Sequence, residues 1–538
     1  MTPKTPLPTD TQPMPTGSTE PTQAATAAVP TSGPATEQAI PATGEKAYTQ
    51  SRTFKAAVLS LSKVLAQCSR ILSAAILSRV LTVEGYATLR QTFLAYDAGE
   101  PLLMMGLPKA LYYFLPGEKK RARGVLIENL LLLSLIGGAF GIFLALGGNR
   151  ILAWRFSNPA LEQSLLLLVP YALVTLPASA LAACLLARGR ALHVAIFSVI
   201  QRLVLLALVV LPVLVWRSAE AGIAGTVVAS AVMLVPALLL MFRSTRDGTA
   251  RPTLRGIWDQ LKYSIFLGLA GALGTFTMSL DKLIVSSMCR PEAFAIYANG
   301  AVEVPLFGVL TGSVMAVLLP DITRLYKEGR FHEALALWQR AAKKCALIVF
   351  PVMWFLLVMA PDLVCVLFSA KYADSALPFR LYQTLLPIRI IAWGAMLMAA
   401  GKSHLILIQT AVACVLSLVL SVLYVKSIGY MGALLGTVQI AYMFTTVFNL
   451  IVIARLYRVR AREVLPLGIL LKMLLVSLLG CAALVPVLLI KTAGTAGALL
   501  RVGIAAPAYA GAVVLLFIWL GIVDRRPLLK AVKRHVGR

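Results

Sequence analysis

Two sixteen-residue stretches decide the fold. Pro101-Leu-Leu-Met-Met-Gly-Leu-Pro-Lys-Ala-Leu-Tyr-Tyr-Phe-Leu-Pro116 returns 204 residues later as Pro305-Leu-Phe-Gly-Val-Leu-Thr-Gly-Ser-Val-Met-Ala-Val-Leu-Leu-Pro320. Both open on Pro-Leu, close on Leu-Pro and are apolar between. Three flanking landmarks recur at nearly the same distance. Thr82-Val-Glu-Gly-Tyr86 answers Arg290-Pro-Glu-Ala-Phe294 after 208 residues, and Gly189-Arg190 answers Gly401-Lys402 after 212. Gly222-Ile-Ala-Gly225 answers Gly429-Tyr-Met-Gly432 after 207. One such match is weak, but four in the same order at one spacing indicate an internal duplication.

The duplicated sequence lies in a membrane. Hydrophobic residues make up 59% of the 538, charged ones 14%, and the mean hydropathy is +0.82. A soluble domain does not tolerate those values, so the chain reads as an all-α polytopic membrane protein. Apolar runs of about twenty residues predict fourteen transmembrane helices, at 54–80, 86–115, 124–148, 161–187, 193–216, 221–242, 261–288, 293–319, 341–368, 376–400, 404–425, 430–454, 466–490 and 498–523. The repeat contains six spans. An even number gives both copies the same orientation, related by an axis along the membrane normal. The expected domains are an N-terminal lobe at 53–243, a linker at 244–260, a C-terminal lobe at 261–455 and an appended helix pair at 466–523. Residues 1–52, rich in Thr, Pro and Ala, read as a disordered tail, and 524–538 as a basic tail. The connection 320–344 reads as an amphipathic surface helix, with Phe331, Leu335, Leu337 and Trp338 against basic neighbours.

The formal charge of +27 is distributed unevenly between the loops. One set carries Lys119, Lys120, Arg121 and Arg123, then Arg243, Arg246 and Arg251, then Arg324, Lys327 and Arg330, and later Arg455 to Arg462. The alternate loops are short and carry few bases. By the positive-inside rule the basic set is cytoplasmic, which places both termini in the cytoplasm of a cell whose plasma membrane holds the protein. Short external loops leave no room for an external catalytic domain.

Charges inside the spans are costly and tend to face a cavity. The candidate bases are Lys63, Arg70, Arg90, Arg202, Lys282 and Arg389, and the candidate acids Asp97, Glu100, Asp281 and Glu303. Mutual neutralisation is one reading, for example Asp97 with an arginine of the first helix or Lys282 with Glu303. The bases outnumber the acids, however, so a cationic cavity that binds an anionic headgroup through Lys and Arg is the functional reading. The four acids are the candidates for charge balance or for proton or sodium coupling. Other motifs exclude more than they suggest. The seven cysteines form no CxxC pair, the four histidines are dispersed, and there is no P-loop, nucleophile constellation or metal motif. Neither an enzyme nor a cofactor is expected, and no nucleic-acid partner. Gly268-x-x-Gly271-x-x-Gly274 lies in an apolar span and is not a nucleotide fingerprint, while Gly137/Gly141, Gly308/Gly312 and Gly432/Gly436 have the spacing of close helix packing. Pro101, Pro108, Pro305 and Pro387 are expected to kink their spans.

Five segments carry a family resemblance. They are Leu77-Ser-Arg-Val-Leu-Thr-Val-Glu-Gly-Tyr86, Asp281-Lys-Leu-Ile-Val-Ser286, Ala295-Ile-Tyr-Ala298, Leu319-Pro-Asp-Ile-Thr323 and Leu367-Phe-Ser-Ala-Lys-Tyr372. With them the chain resembles, over roughly 53–460, the Wzx-type polysaccharide branch of the multidrug/oligosaccharidyl-lipid/polysaccharide (MOP) exporter superfamily. Ser369 stands where the family usually has glycine. The resemblance implies a flippase that carries polyprenyl-diphosphate-linked oligosaccharide between leaflets by alternating access, beside glycosyltransferases and a polymerase. Three alternatives stand beside it: a lipid II flippase, which shares the architecture and the fourteen helices so that sequence separates the two poorly, a multidrug/cation antiporter, and a non-transporting scaffold. The basic cavity argues against the antiporter.

Overall fold

The computed structural model describes residues 65–522, apart from positions 118, 303, 304, 391, 491 and 493. Lys63, Glu303, the N-terminal tail and the basic C-terminal tail lie outside the described residues. The described chain is organised as fourteen helical rods. They are α1 (65–80), α2 (Val83–Met104 continued by Leu107–Gly117), α3 (Ala122–Arg155), α4 (Leu161–Leu167 and Val169–Ala187), α5 (Ala191–Trp216), α6 (Ala219–Ser244) and α7 (Leu254–Met288). The second series comprises α8 (Pro291–Gly300 and Pro305–Lys327), α9 (Phe331–Val358 and Ala360–Phe368), α10 (Ala376–Gln383, Leu386–Arg389 and Trp393–Ala399), α11 (Ser403–Ile428) and α12 (Met431–Leu456). The appended pair is α13 (Leu467–Leu488) and α14 (Gly494–Trp519). Nine rods are long and apolar enough to cross a membrane, and α10 passes only as a pair of helices bent by 41°. Among the described residues, the rods outside that set, α1, α2, α7 and α10 among them, carry every candidate charge but Arg202.

The repeat is visible in the chain turns. After α4, Gly189 (φ 71°) lets Arg190 N–H reach Leu185 O at 2.8 Å; after α10, Gly401 (φ 69°) lets Lys402 N–H reach Leu397 O at 2.9 Å. The left-handed conformation after each helix is one that glycine adopts without a Cβ clash, which explains why both copies keep Gly-basic there. The copies also diverge. α2 breaks at Met105–Gly106, both left-handed (φ 46° and 72°), between the two prolines expected to kink it. Its second half stops at Gly117, whereas α8 runs through Pro320 to Lys327.

Two expectations are corrected. The 320–344 connection holds no separate surface helix, because α8 and α9 meet across a tight turn at Gly329. Trp338 (0% exposed) and Leu335 (4%) pack into the core beside Trp393 and Tyr457, so the apolar face is used inside the bundle and not on a bilayer surface. Gly308 and Gly312 face open space, while Gly137 and Gly141 do pack, against the α4 backbone at Ala172 and Val169.

The apolar cores are distributed in a way that fixes the state of the two lobes. At the end bearing the basic loops, one core uses only residues from Leu107 to Met241 with partly buried neighbours up to Ile257. The other core at that end uses only Met315 to Met473 and their neighbours. At the opposite end a single core mixes both lobes, with Leu77, Leu81, Tyr86 and Phe156 beside Ala295, Val364, Phe368 and Tyr372. Apolar surface leaves water where it is shared, so the lobes are joined at that end, and among the described residues they share no core at the basic one. The 35-residue rod α7 bridges them. Near its start Gln260 and Thr253 bond to Asn129 and Glu128 of α3; near its end Ile284 and Val285 pack with Phe294, Cys414 and Leu434.

Candidate transport cavity

The closed end is held by an exchange of helix caps. Each helix ends with carbonyls that have no partner in the helix. Arg79, near the end of α1, donates to Leu367 O at 2.8 Å and to Val366 O, both in the last turn of α9. Lys371, just beyond α9, donates to Leu81 O at 2.5 Å and to Arg79 O at 3.5 Å at the end of α1. Each cation therefore sits at the negative end of the other lobe's helix. Tyr86 adds a bond to Asn299 (2.8 Å) and an edge-to-face contact with Tyr372, and Gln91 reaches Ser286 at 3.1 Å. Between α9 and the Lys371 turn, Ser369 has φ 77° and ψ 166°, a region that glycine occupies far more easily.

Five candidate charges meet inside the N-terminal lobe. Arg70 of α1 lies within electrostatic reach of Arg202 on α5 and of Asp97 and Arg90 on α2. Glu100, one turn beyond Asp97, feels that carboxylate and lies with it and Arg202 around Tyr171 of α4. Asp97 is exposed, with Arg90 and Arg70 as the cations that act on it. Among the described residues none of these five closes an ion pair within 4.0 Å; Arg70 bonds instead to Gln67, through Nε at 2.8 Å. Mutual neutralisation by direct contact is thus not what holds them. With three arginines and two carboxylates the group stays net positive and leaves space between its charges.

An aromatic wall backs the cluster. Tyr96 and Tyr171 meet edge-to-face at 4.8 Å, Phe93 packs on Tyr171 at 5.9 Å, and Tyr96 Oη is 2.6 Å from Thr175 Oγ1. These rings fix α2 against α4 and orient the face that carries Asp97 and Glu100. Sequence reasoning missed Tyr171 because a neutral side chain in an apolar span gives no signal of cost.

The other described candidates, Asp281, Lys282 and Arg389, form a second group in the C-terminal lobe. Asp281 is buried (5% exposed) and accepts from Tyr297 Oη at 2.7 Å, while its Oδ1 has no hydrogen-bond partner among the described residues. Lys282 Nζ and Arg389 Cζ lie 5.7 and 5.6 Å from the centre of the Tyr382 ring, within cation–π range. Arg389 also feels the Asp281 charge. Asp281 therefore faces protein, unlike Asp97. The described residues include no group of three or more His, Cys, Asp or Glu able to hold a metal ion.

The described charged groups thus lie on rods that meet across the capped end. A family model described as "Polysaccharide biosynthesis protein" matches residues 76–377, more than half of the chain. The chain belongs to the polysaccharide biosynthesis protein family. No curated protein matches it.

Solved structures give the same fold. "Lipid II flippase MurJ, inward closed conformation" is 15% identical, with TM-score 0.65 over 86% of this chain and 99% of that one. An inward-facing multidrug resistance MATE family transporter is 17% identical, with TM-score 0.60 over 75% of this chain and 99% of that one. A MOP superfamily transporter from Pyrococcus furiosus, described as having a binding pocket of reverse polarity, is 16% identical, with TM-score 0.54 over 75% and 96%.

Proposed function

We propose that this member of the family is a flippase for an anionic lipid-linked oligosaccharide, with a polyprenyl-diphosphate headgroup as the cargo class. The observation that carries this reading is the net-positive, unpaired cluster of Arg70, Arg90 and Arg202 with Asp97 and Glu100. Guanidinium groups bind a diphosphate through planar paired donors, and a water-filled cavity accommodates the glycan. Lys282 and Arg389 on Tyr382 supply further cations from the other lobe. The separate cores at the basic end support loading from the side that the positive-inside rule assigns to the cytoplasm. Asp97 and Glu100 are the carboxylates through which proton or sodium coupling would act.

The test is to delete the gene, complement it with wild-type or Arg70→Gln/Arg202→Gln/Arg389→Gln protein, and label glycans with a membrane-impermeant reagent. The expected result is a lipid-linked oligosaccharide reached only after lysis in the deletion and in the triple variant. Normal outward labelling by the properly inserted triple variant rejects the proposal. The likeness to a lipid II flippase supports a second reading, in which the trapped intermediate carries a peptide on its sugar.

A further inference from the structure

A second basic site lies between the C-terminal lobe and the appended helix pair. A cavity of about 590 Å³ is lined by Trp354, Leu357 and Asp362 of α9, Arg380 of α10, Leu488 of α13 and Arg501 of α14. No residue of α1–α6 contributes, so it is not on a path between the lobes. Arg501 is spoken for: it donates to Asp362 Oδ1 through Nε (3.1 Å) and, through Nη1, to Thr492 O (2.6 Å) and Oγ1 (2.8 Å). Arg380 is different. It is exposed, donates only through Nε to Leu357 O at 2.9 Å, and has no acidic partner among the described residues. Two guanidinium groups and one carboxylate leave the cavity net positive above an apolar floor of Trp354, Leu357 and Leu488.

Depth identifies the occupant. Asp362 precedes the end of α9 at Phe368, Arg380 follows the start of α10 at Ala376, and Arg501 follows the start of α14 at Gly494. At about 1.5 Å per residue all three lie about 6–10 Å inside the end opposite the basic loops. That is the boundary between headgroups and hydrocarbon, where a cation over an apolar floor meets lipid phosphate. We infer that this cavity binds the phosphate of an anionic bilayer phospholipid, with Arg380 as its ligand and the acyl chains along Trp354 and Leu488, and that the bound lipid fastens α13 and α14 to the C-terminal lobe.

The test uses the full chain, detergent-purified and delipidated, with phosphatidylglycerol, phosphatidylcholine and polyprenyl phosphate as probes in native mass spectrometry and thermal unfolding. Phosphatidylglycerol is expected to bind and stabilise better than phosphatidylcholine. Arg380→Gln is expected to weaken phosphatidylglycerol binding about tenfold, the size of one lost charge-assisted contact, with Arg380→Lys retaining most of the preference and Arg70→Gln all of it. Equal binding of the two phospholipids, or full binding by Arg380→Gln, overturns the inference. So does loss of binding on Arg70→Gln, which places the lipid in the central cavity. Selective displacement by polyprenyl phosphate at equal concentration overturns the bilayer source and assigns the phosphate to cargo.

Discussion

Replacing Arg79 and Lys371 together by methionine keeps their apolar stems and removes the cap exchange. Across the lobes Arg79 donates to Leu367 O and Val366 O, and Lys371 donates to Leu81 O and Arg79 O. A hydrogen bond to a charged group contributes about 1.5–3 kcal/mol when buried, but both side chains are exposed here, so about 1 kcal/mol per strong bond is the better figure. Three strong bonds give roughly 2–3 kcal/mol for the pair, or roughly 30- to 150-fold in the ratio of closed to open at this end. Spin labels at Glu84 and Asp374, on the two exposed turns, report that ratio as a distance distribution in a cysteine-free background. The double substitution is expected to move most of the population to longer distances, with Arg79→Met alone giving about two-thirds and Lys371→Met alone about one-third of the shift in free energy. An unchanged distribution refutes the argument and assigns closure to the shared apolar core alone.

Three further outcomes are expected. Glu128, fully buried, accepts from Arg121 (2.6 Å), Thr253 N (2.7 Å) and Gln260 (3.1 Å); Glu128→Ala removes their shared acceptor and should cost about 1–3 kcal/mol, read as a drop in thermal midpoint with α7 the first element to lose protease protection. Ser369→Gly relieves the backbone at φ 77° and should stabilise by up to about 1 kcal/mol after the extra freedom of the unfolded chain is counted, seen as a higher unfolding midpoint. In the loop after α6, a backbone hydrogen bond and then Arg188 (2.9 Å) hold the Asp247 carboxyl below its ordinary value. Because the folded value is depressed, that stabilisation is complete above the ordinary carboxylate range and disappears as pH falls through the lowered value. The pair is exposed, so the amplitude is under about 1 kcal/mol, and Arg188→Gln should flatten that part of the acid limb in a stability–pH profile.

The sequence made the membrane class, the duplication and most rods legible because each rests on a local pattern: apolar length, glycine after a helix, charge in alternate loops. It marked Arg70, Arg90, Arg202, Asp97 and Glu100 by their cost in an apolar span, and the fold does bring those five to one place. What it hid depends on partners far along the chain. Phe331 to Trp338 look like a membrane-surface stripe until Trp393 and Tyr457 are seen to cover them. Arg79 and Lys371 look like residues reaching for the interface, because their acceptors are backbone carbonyls, which no sequence pattern displays. Glu128 and the Asp362–Arg501 pair were likewise invisible, each resting on donors or acceptors more than a hundred residues away.

The placement of α7 limits how the protein can switch. Its first half belongs with α3, and its crossing with α2 is so tight that a Cβ on Gly268 would stand 2.2 Å from Met105 C. Its second half belongs with α8, α11 and α12. Two rigid halves cannot swing apart while sharing a straight rod, so opening at the far end must flex this helix or strip one half of its neighbours. The cheapest hinge is the stretch just beyond the crossing, where Gly271 and Gly274 carry no side chains and meet almost nothing. The glycines at 268, 271 and 274 would then divide the labour, the first as fulcrum and the others as the flexible part of a lever.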